Sequence, residues 1–370
     1  MKAFVPNDYP TIGVEQEFHL IDPQTAELSS GIDQVIEHLN PEAREFICYE
    51  LYLSVCEQKS PVCRTADELQ QHIAQGRRVL AQACSKAGVR LAAAGSHPFS
   101  NWRDQRVVPS DHYQWVTENC VYLAQRMLAF GLHVHVGMRS APGAMYVMHE
   151  LRRWAYPLMA LSANSPFFEG HSTGLASTRT HIFSSMPRTA MPPYFADMNE
   201  LEDFYNKLRA AGDITAPGDL WWAIRPQPPL GTVELRVFDL PTDVRRIAAL
   251  AAVVQAAADI YQDRFDQGTS PTSINPAYVD QNRWKAMRYG LDSKIIEPQT
   301  GQILTIREQL ERLFDMVEPR AKQLGSASHL EFAREMLRDG TESQWQIELC
   351  QQVDGDLAAL ELQIADKTLE

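Results

Sequence analysis

Three short stretches each carry two ionisable residues two positions apart: Glu15 and Glu17 in TIGVEQEFHLI, His133 and His135 in FGLHVHVGM, and Glu234 and Arg236 in GTVELRVFD. On a strand, residues two apart point to the same face. Leu132, Val134 and Val136 alternate with the histidines, and Val233, Leu235 and Val237 alternate with the third pair, so these polar pairs back onto apolar faces. Two carboxylates on one face repel unless a cation lies between them, and a pair of neutral imidazoles suits a metal. Together the stretches offer carboxylates, imidazoles and a guanidinium to one side of a sheet, a donor set for a divalent metal and a phosphate-bearing ligand.

Each pair has an ordinary reading as well. Glu15 and Glu17 suit a solvated strand face, a histidine on a strand is often structural, and an exposed Glu234–Arg236 bridge is worth under about 1 kcal/mol. The threefold repetition favours the chemical reading. Carboxylate crowding predicts that Glu234→Gln raises the melting temperature of the metal-free chain. Glu50 and Glu57 fall in one predicted strand over 45–57, where their odd separation needs a bulge or bend to aim both at one face.

The elements that must position these residues follow from periodicity and caps. Strands are predicted over 11–21, 45–57, 89–94, 130–138, 220–225 and 232–238. Thr65 with Glu68 forms a T-x-x-E box opening a helix that runs to Gly88. Further helices are predicted over 111–128, 143–163 with a kink at Pro157, and 199–211. Residues 164–196, rich in Pro and Gly, read as a loop long enough to need a task. Beyond Thr242 the pattern predicts four or five helices with turns near Gly268, Gly290, Gly325 and Gly340. The expected class is α+β: one catalytic domain over 1–370, with a mixed core over 1–241 carrying the site and a mainly helical part over 242–370.

Composition narrows the function. Among 370 residues, 45% are hydrophobic and the net charge is −13, which argues against a nucleic-acid partner and against docking on anionic membrane. The most apolar run, IAALAAVVQAAADI at 247–260, is too short to span a bilayer and carries Gln255 and Asp259. The N-terminal MKAFVPNDYPTIG shows no apolar stretch of a secretory signal. The six cysteines form no CxxC pair and suit reduced thiols in the cytoplasm. There is no P-loop, no G-x-G-x-x-G and no G-x-S-x-G, so a nucleotide would be held by a metal cluster with arginine support.

The motifs, in their order, resemble the glutamate–cysteine ligase superfamily, and most closely its YbdK-type carboxylate–amine ligases. The matching stretches are GVEQEFHLID, SVCEQKSPVCR, GSHPFSNW, GLHVHVG, LSANSPFFEGHSTGLASTRT, IRPQPPLGTVELRVFDLP and NRWKAMRYGLD, spread over most of the chain and weakening after about residue 325. The resemblance implies a glutamine-synthetase-like catalytic domain, whose curved antiparallel sheet with flanking helices holds ATP and Mg²⁺ or Mn²⁺. It implies metal ligation by Glu17 and Glu57 with Glu50 at one site, and by Glu15, His133 and Glu234 at another. His135, Arg225 and Arg236 would contact phosphate and serve the chemistry. Gln16 replaces a frequent Glu but points to the opposite face. Ala223 and Thr178 also depart from the usual pattern, at positions that bear on substrate choice.

The expected reaction is ATP-dependent amide formation between small amino-acid-like carboxylate and amine substrates through an acyl phosphate, with glutamate and cysteine as the default pair. Arg179 and Arg188, in the 164–196 segment, are candidates for a carboxylate clamp, against a reading as ordinary loop residues. Alternatives are a metal-dependent amidohydrolase, which would need a fuller His or Lys set than follows His133, and a non-catalytic metal- and nucleotide-binding protein. A homodimer is expected, since closed two-fold dimers are the commonest soluble oligomers.

Overall fold

The period-two stretches form neighbouring strands of one sheet. The computed structural model describes residues 3–370. Its first strands are β1 (Ile12–Ile21), β2 (Ile47–Tyr49), β3 (Val55–Lys59), β4 (Arg90–Ala92) and β5 (Gly131–Gly137). A short hairpin, β6 (Phe167–Phe168) and β7 (His171–Ser172), precedes β8 (Ile224–Gln227) and β9 (Thr232–Asp239). A second hairpin pairs β10 (Lys294–Ile296) with β11 (Ile303–Thr305). The main sheet runs β2-β3-β1-β5-β9-β8 and is antiparallel throughout. β5 pairs with the first half of β1, and β4 pairs with its last three residues.

The apolar face of the sheet, including Val14, Leu132, Val134, Val136, Val233 and Leu235, joins a buried cluster that reaches into the C-terminal helices. The long helix Val244–Asp266 is buried almost continuously from Ile247 to Asp259. That burial explains its Ala-rich run, since a helix apolar on all sides belongs inside a protein or a membrane. No helix among the described residues is long and apolar enough to cross a membrane.

Several expected elements are divided. The predicted strand over 45–57 is two antiparallel strands, β2 and β3, with Cys48 opposite Glu57. The predicted helix over 111–128 breaks at Val121, whose φ is +44°. The predicted kink at Pro157 is a break upstream, between the helices Ala141–Leu151 and Ala155–Leu161. Pro157 sits in the first turn of the second helix, where no intrahelical amide bond is needed, and its ring would clash with the carbonyl four residues earlier.

The 164–196 segment is not a plain loop. It contains β6, β7 and the helix Thr178–Ser184. Its backbone is tied to the end of β9: the Ser165 and Ser177 hydroxyls donate to Asp239 at 2.6 and 2.7 Å. β8 begins at Ile224, later than predicted, and holds Pro226 because it is an edge strand. Six α-helices and the β10–β11 hairpin follow residue 242 among the described residues, where the sequence predicts four or five helices and no hairpin.

Candidate active site

Strand register assembles the ionisable residues into a row across one face of the sheet. Glu15 lies opposite His133 on β5 and Lys59 on β3, and Glu17 lies opposite Glu57. His135 faces Glu234 on β9, and Glu234 faces Arg225 on β8. Between the pairs Leu132–Phe238 and Val134–Leu235, β9 carries one residue more than β5. This bulge locally twists β9. Arg236 lies within it, its guanidinium bonded to Glu234, with Nη1 3.2 Å from His133 Nδ1. Gln16 points to the other face, accepting from Arg77 Nε at 3.0 Å and donating to Gln58 at 3.2 Å.

The hairpin turn resolves the Glu50–Glu57 question. Glu50 immediately follows β2 and Glu57 lies within β3, so the chain reverses between them and one strand need not aim both. Carboxylate oxygens of Glu17, Glu50 and Glu57 lie within 4.8 Å of one another. The same closeness holds for ligand atoms of Glu15, Glu57 and His133, and for those of Glu15, His135 and Glu234. The histidines thus group differently from the expectation: His135, not His133, completes a set with Glu15 and Glu234.

The imidazoles are oriented as metal ligands usually are. His133 Nδ1 donates to Glu15 Oε2 at 2.9 Å, and His135 Nδ1 lies 3.0 Å from the Thr232 hydroxyl. Both Nε2 atoms are buried without a hydrogen-bond partner. A bare buried nitrogen beside carboxylates is what a divalent cation would satisfy. The carboxylates separate into two electrostatic classes. Burial pushes the Glu57 carboxyl up to about 7, with Glu15 adding to the shift. Burial likewise raises Glu50 well above its usual range, helped by Glu57 and Glu17. Burial also opposes ionisation of Glu15 and Glu234, but other contacts outweigh it. The neighbouring imidazoles of His133 and His135 hold Glu15 far down, and Arg225 and Arg236 do the same for Glu234. The donor set fits divalent metal, with Glu50 and Glu57 short of positive charge.

Glu234 is the hub of the arginine-bearing end of the row. It accepts from Arg225 Nε at 2.6 Å and Arg225 Nη2 at 3.2 Å, from Gln227 at 2.5 Å, and from Arg236. This overturns the expectation that Glu234→Gln stabilises the metal-free chain, because its charge balances two buried guanidiniums. A cavity of about 260 Å³ opens on the row. Its lining joins Glu15, Glu17, Glu50, Glu57, His133, Arg225 and Arg236 with Tyr52, Tyr113, Phe183 and Trp221.

Arg179 and Arg188 are not among the residues lining that cavity. Arg179 is 2% exposed, and its Nη1 donates to the Arg236 carbonyl at 3.2 Å, so it braces β9. Arg188 donates to the Asp219 carbonyl at 3.1 Å and lies over the Trp221 ring. The clamp expected of both is therefore replaced by support of β9 and of the cavity wall. Sequence reasoning passed over Lys59, whose Nζ lies 3.3 Å from Glu57 and 3.9 Å from Glu15. It also passed over Gln227 and Thr232. All three stand two residues from a selected one, so the same period could have found them.

The chain has a TM-score of 0.72 with the glutamate–cysteine ligase of Francisella tularensis in complex with AMP, at 12% identity over 100% of this chain and 90% of that one. With a bifunctional glutathione synthetase from Pasteurella multocida the TM-score is 0.67 at 12% identity, over 97% of this chain and 52% of that one. The model of glutamate–cysteine ligase family 2 matches residues 11–362, and the chain belongs to that family. Relatives carrying the provisional name glutamate–cysteine ligase 2 include one from Thermobifida fusca, 36% identical over 91% of this chain and 86% of its own length. One from Chloroflexus aggregans is 34% identical over 100% of this chain and 95% of its own. The chain is an ATP-dependent carboxylate–amine ligase.

Proposed function

We propose that the acidic row catalyses ATP-driven condensation of an amino-acid-like carboxylate with an amine through an acyl phosphate, with glutamate and cysteine as the first pair to test. The observation that carries this reading is the sharing of carboxylates among three donor sets, beside two bare imidazole nitrogens and two guanidiniums that line the cavity. A carboxylate is a poor electrophile, and phosphorylating it brings several negative charges together. Arg225 and Arg236 neutralise charge on the phosphate side and stabilise the charge of the transferring group. Glu17, Glu50 and Glu57 would hold one Mg²⁺ or Mn²⁺, and Glu15, His135 and Glu234 another, with His133 beside both. Such ions, when bound, supply Lewis acidity and a template. His135, Arg225 and Arg236 orient the nucleotide phosphates, and preorganised charge removes the need for a Ser or Cys nucleophile.

The test is ADP release with Mg²⁺ over paired acids and amines, followed by trapping with hydroxylamine. The correct acid alone should yield a hydroxamate and matching ADP, and Glu17→Gln should abolish both. AMP and pyrophosphate in place of ADP would overturn the acyl-phosphate step. We propose further that the chain works in the cytoplasm, where its free cysteines persist, and as a homodimer. A monomer by light scattering would remove the last claim.

A further inference from the structure

Consecutive arginines after the helix Ala141–Leu151 meet opposite fates. Arg153 donates to Glu297 at 2.7 Å and to Gln299 at 2.9 Å. Arg152 is 7% exposed, its Nε is buried without a partner, and no carboxylate among the described residues lies within 4.0 Å of its guanidinium. A guanidinium buried without an anion is strongly unfavourable. The adjacent carboxylate of Glu150 does not serve it, being taken by the amide and hydroxyl of Thr272.

Arg152 lines a cavity of about 500 Å³, apart from the acidic one. His149 lies beside it, 5% exposed. Its Nε2 donates to the Phe195 carbonyl at 2.9 Å, which leaves Nδ1 a bare acceptor. Tyr194 stacks on His149 with ring centroids 4.5 Å apart. Ile274 and prolines complete an apolar wall. The Glu150–Thr272 bonds fix that wall against the helix, so the concavity is built into the fold.

We propose that this cavity binds a small organic acid, its carboxylate seated on Arg152 and its apolar body against Tyr194 and Ile274. The lining combines one unpaired cation with apolar surface, the pattern of a small-molecule site. An inorganic anion would satisfy Arg152 and leave the apolar wall unused.

Calorimetric titration of the full chain, with chelator and without nucleotide, tests this using benzoate, its neutral isostere benzamide, and inorganic phosphate. Benzoate should bind saturably with Kd of about 1 mM or tighter, and benzamide and phosphate at least about tenfold more weakly. Arg152→Met should lose benzoate binding yet melt no lower than the parent, because it removes an unpaired buried charge. Tyr194→Ala, at an exposed position, should weaken benzoate. Equal binding of benzamide or phosphate, no saturable benzoate binding to the parent, or unchanged affinity in Arg152→Met would overturn the proposal. So would a lower melting temperature of Arg152→Met. Were that variant not to fold, unchanged benzoate affinity in both Arg152→Lys and Tyr194→Ala would overturn it.

Discussion

Glu17 and Glu57 stand directly opposite each other on β1 and β3, so two carboxylates share a cross-strand position on the site face. Like charges so placed destabilise a sheet, which creates a demand for positive charge between them. The Glu57 carboxyl, pushed by burial and Glu15 from 4.5 to about 7, records that demand. Between those values the folded metal-free chain holds a proton that the unfolded chain has released. Its stability should therefore fall as pH rises through that window. Glu57→Gln should flatten this slope, and Mg²⁺ should restore stability to the parent at pH 7 but not to the variant. Melting curves with chelator and with Mg²⁺ read both effects, and a parent slope equal to that of the variant would contradict the assignment.

Glu234 behaves in the opposite sense. Glu234→Gln leaves Arg225 and Arg236 without their shared buried anion, and breaking such a pair costs about 3–5 kcal/mol. Denaturant unfolding of the metal-free chain should show that loss, together with weaker binding of Mg²⁺–ATP. A variant as stable as the parent would show that the two guanidiniums find other partners.

Gly131 and Arg179 are packed so closely that a Cβ at residue 131 would meet the guanidinium. Gly131→Ala should destabilise by about 1–3 kcal/mol through overpacking. It should also lower turnover, because Gly131 donates its amide to Glu17 at 2.5 Å and Arg179 braces the Arg236 carbonyl. An unchanged melting temperature would mean that Arg179 moves freely.

His19 and Glu361 are both fully buried, 2.6 Å apart. Burial raises the Glu361 carboxyl to about 7 and lowers His19 to about 3, so between those values the pair holds one proton and no net charge. Glu361→Ala should cost about 1–3 kcal/mol by orphaning the imidazole. Equilibrium unfolding checks this, and a neutral result would mean that water replaces the carboxylate.

What the sequence determined by itself is local. Period-two alternation put Glu15 with Glu17, His133 with His135, and Glu234 with Arg236, because strand geometry sends alternate side chains to one face wherever the strand lies. The Thr65–Glu68 capping box is equally local, and it forms as read. Tertiary structure decided what register and chain reversal control. The β2–β3 hairpin brought Glu50 to Glu57, the β9 bulge aimed Arg236, and cross-strand pairing set His133 opposite Glu15 and His135 opposite Glu234. Burial gave Arg179 a structural task that its place in a Pro- and Gly-rich segment did not disclose. The helix Leu357–Lys367 brought Glu361 to His19 across 342 residues. Such contacts depend on which surfaces bury each other, and that choice is made by the whole chain at once, beyond the reach of any local period.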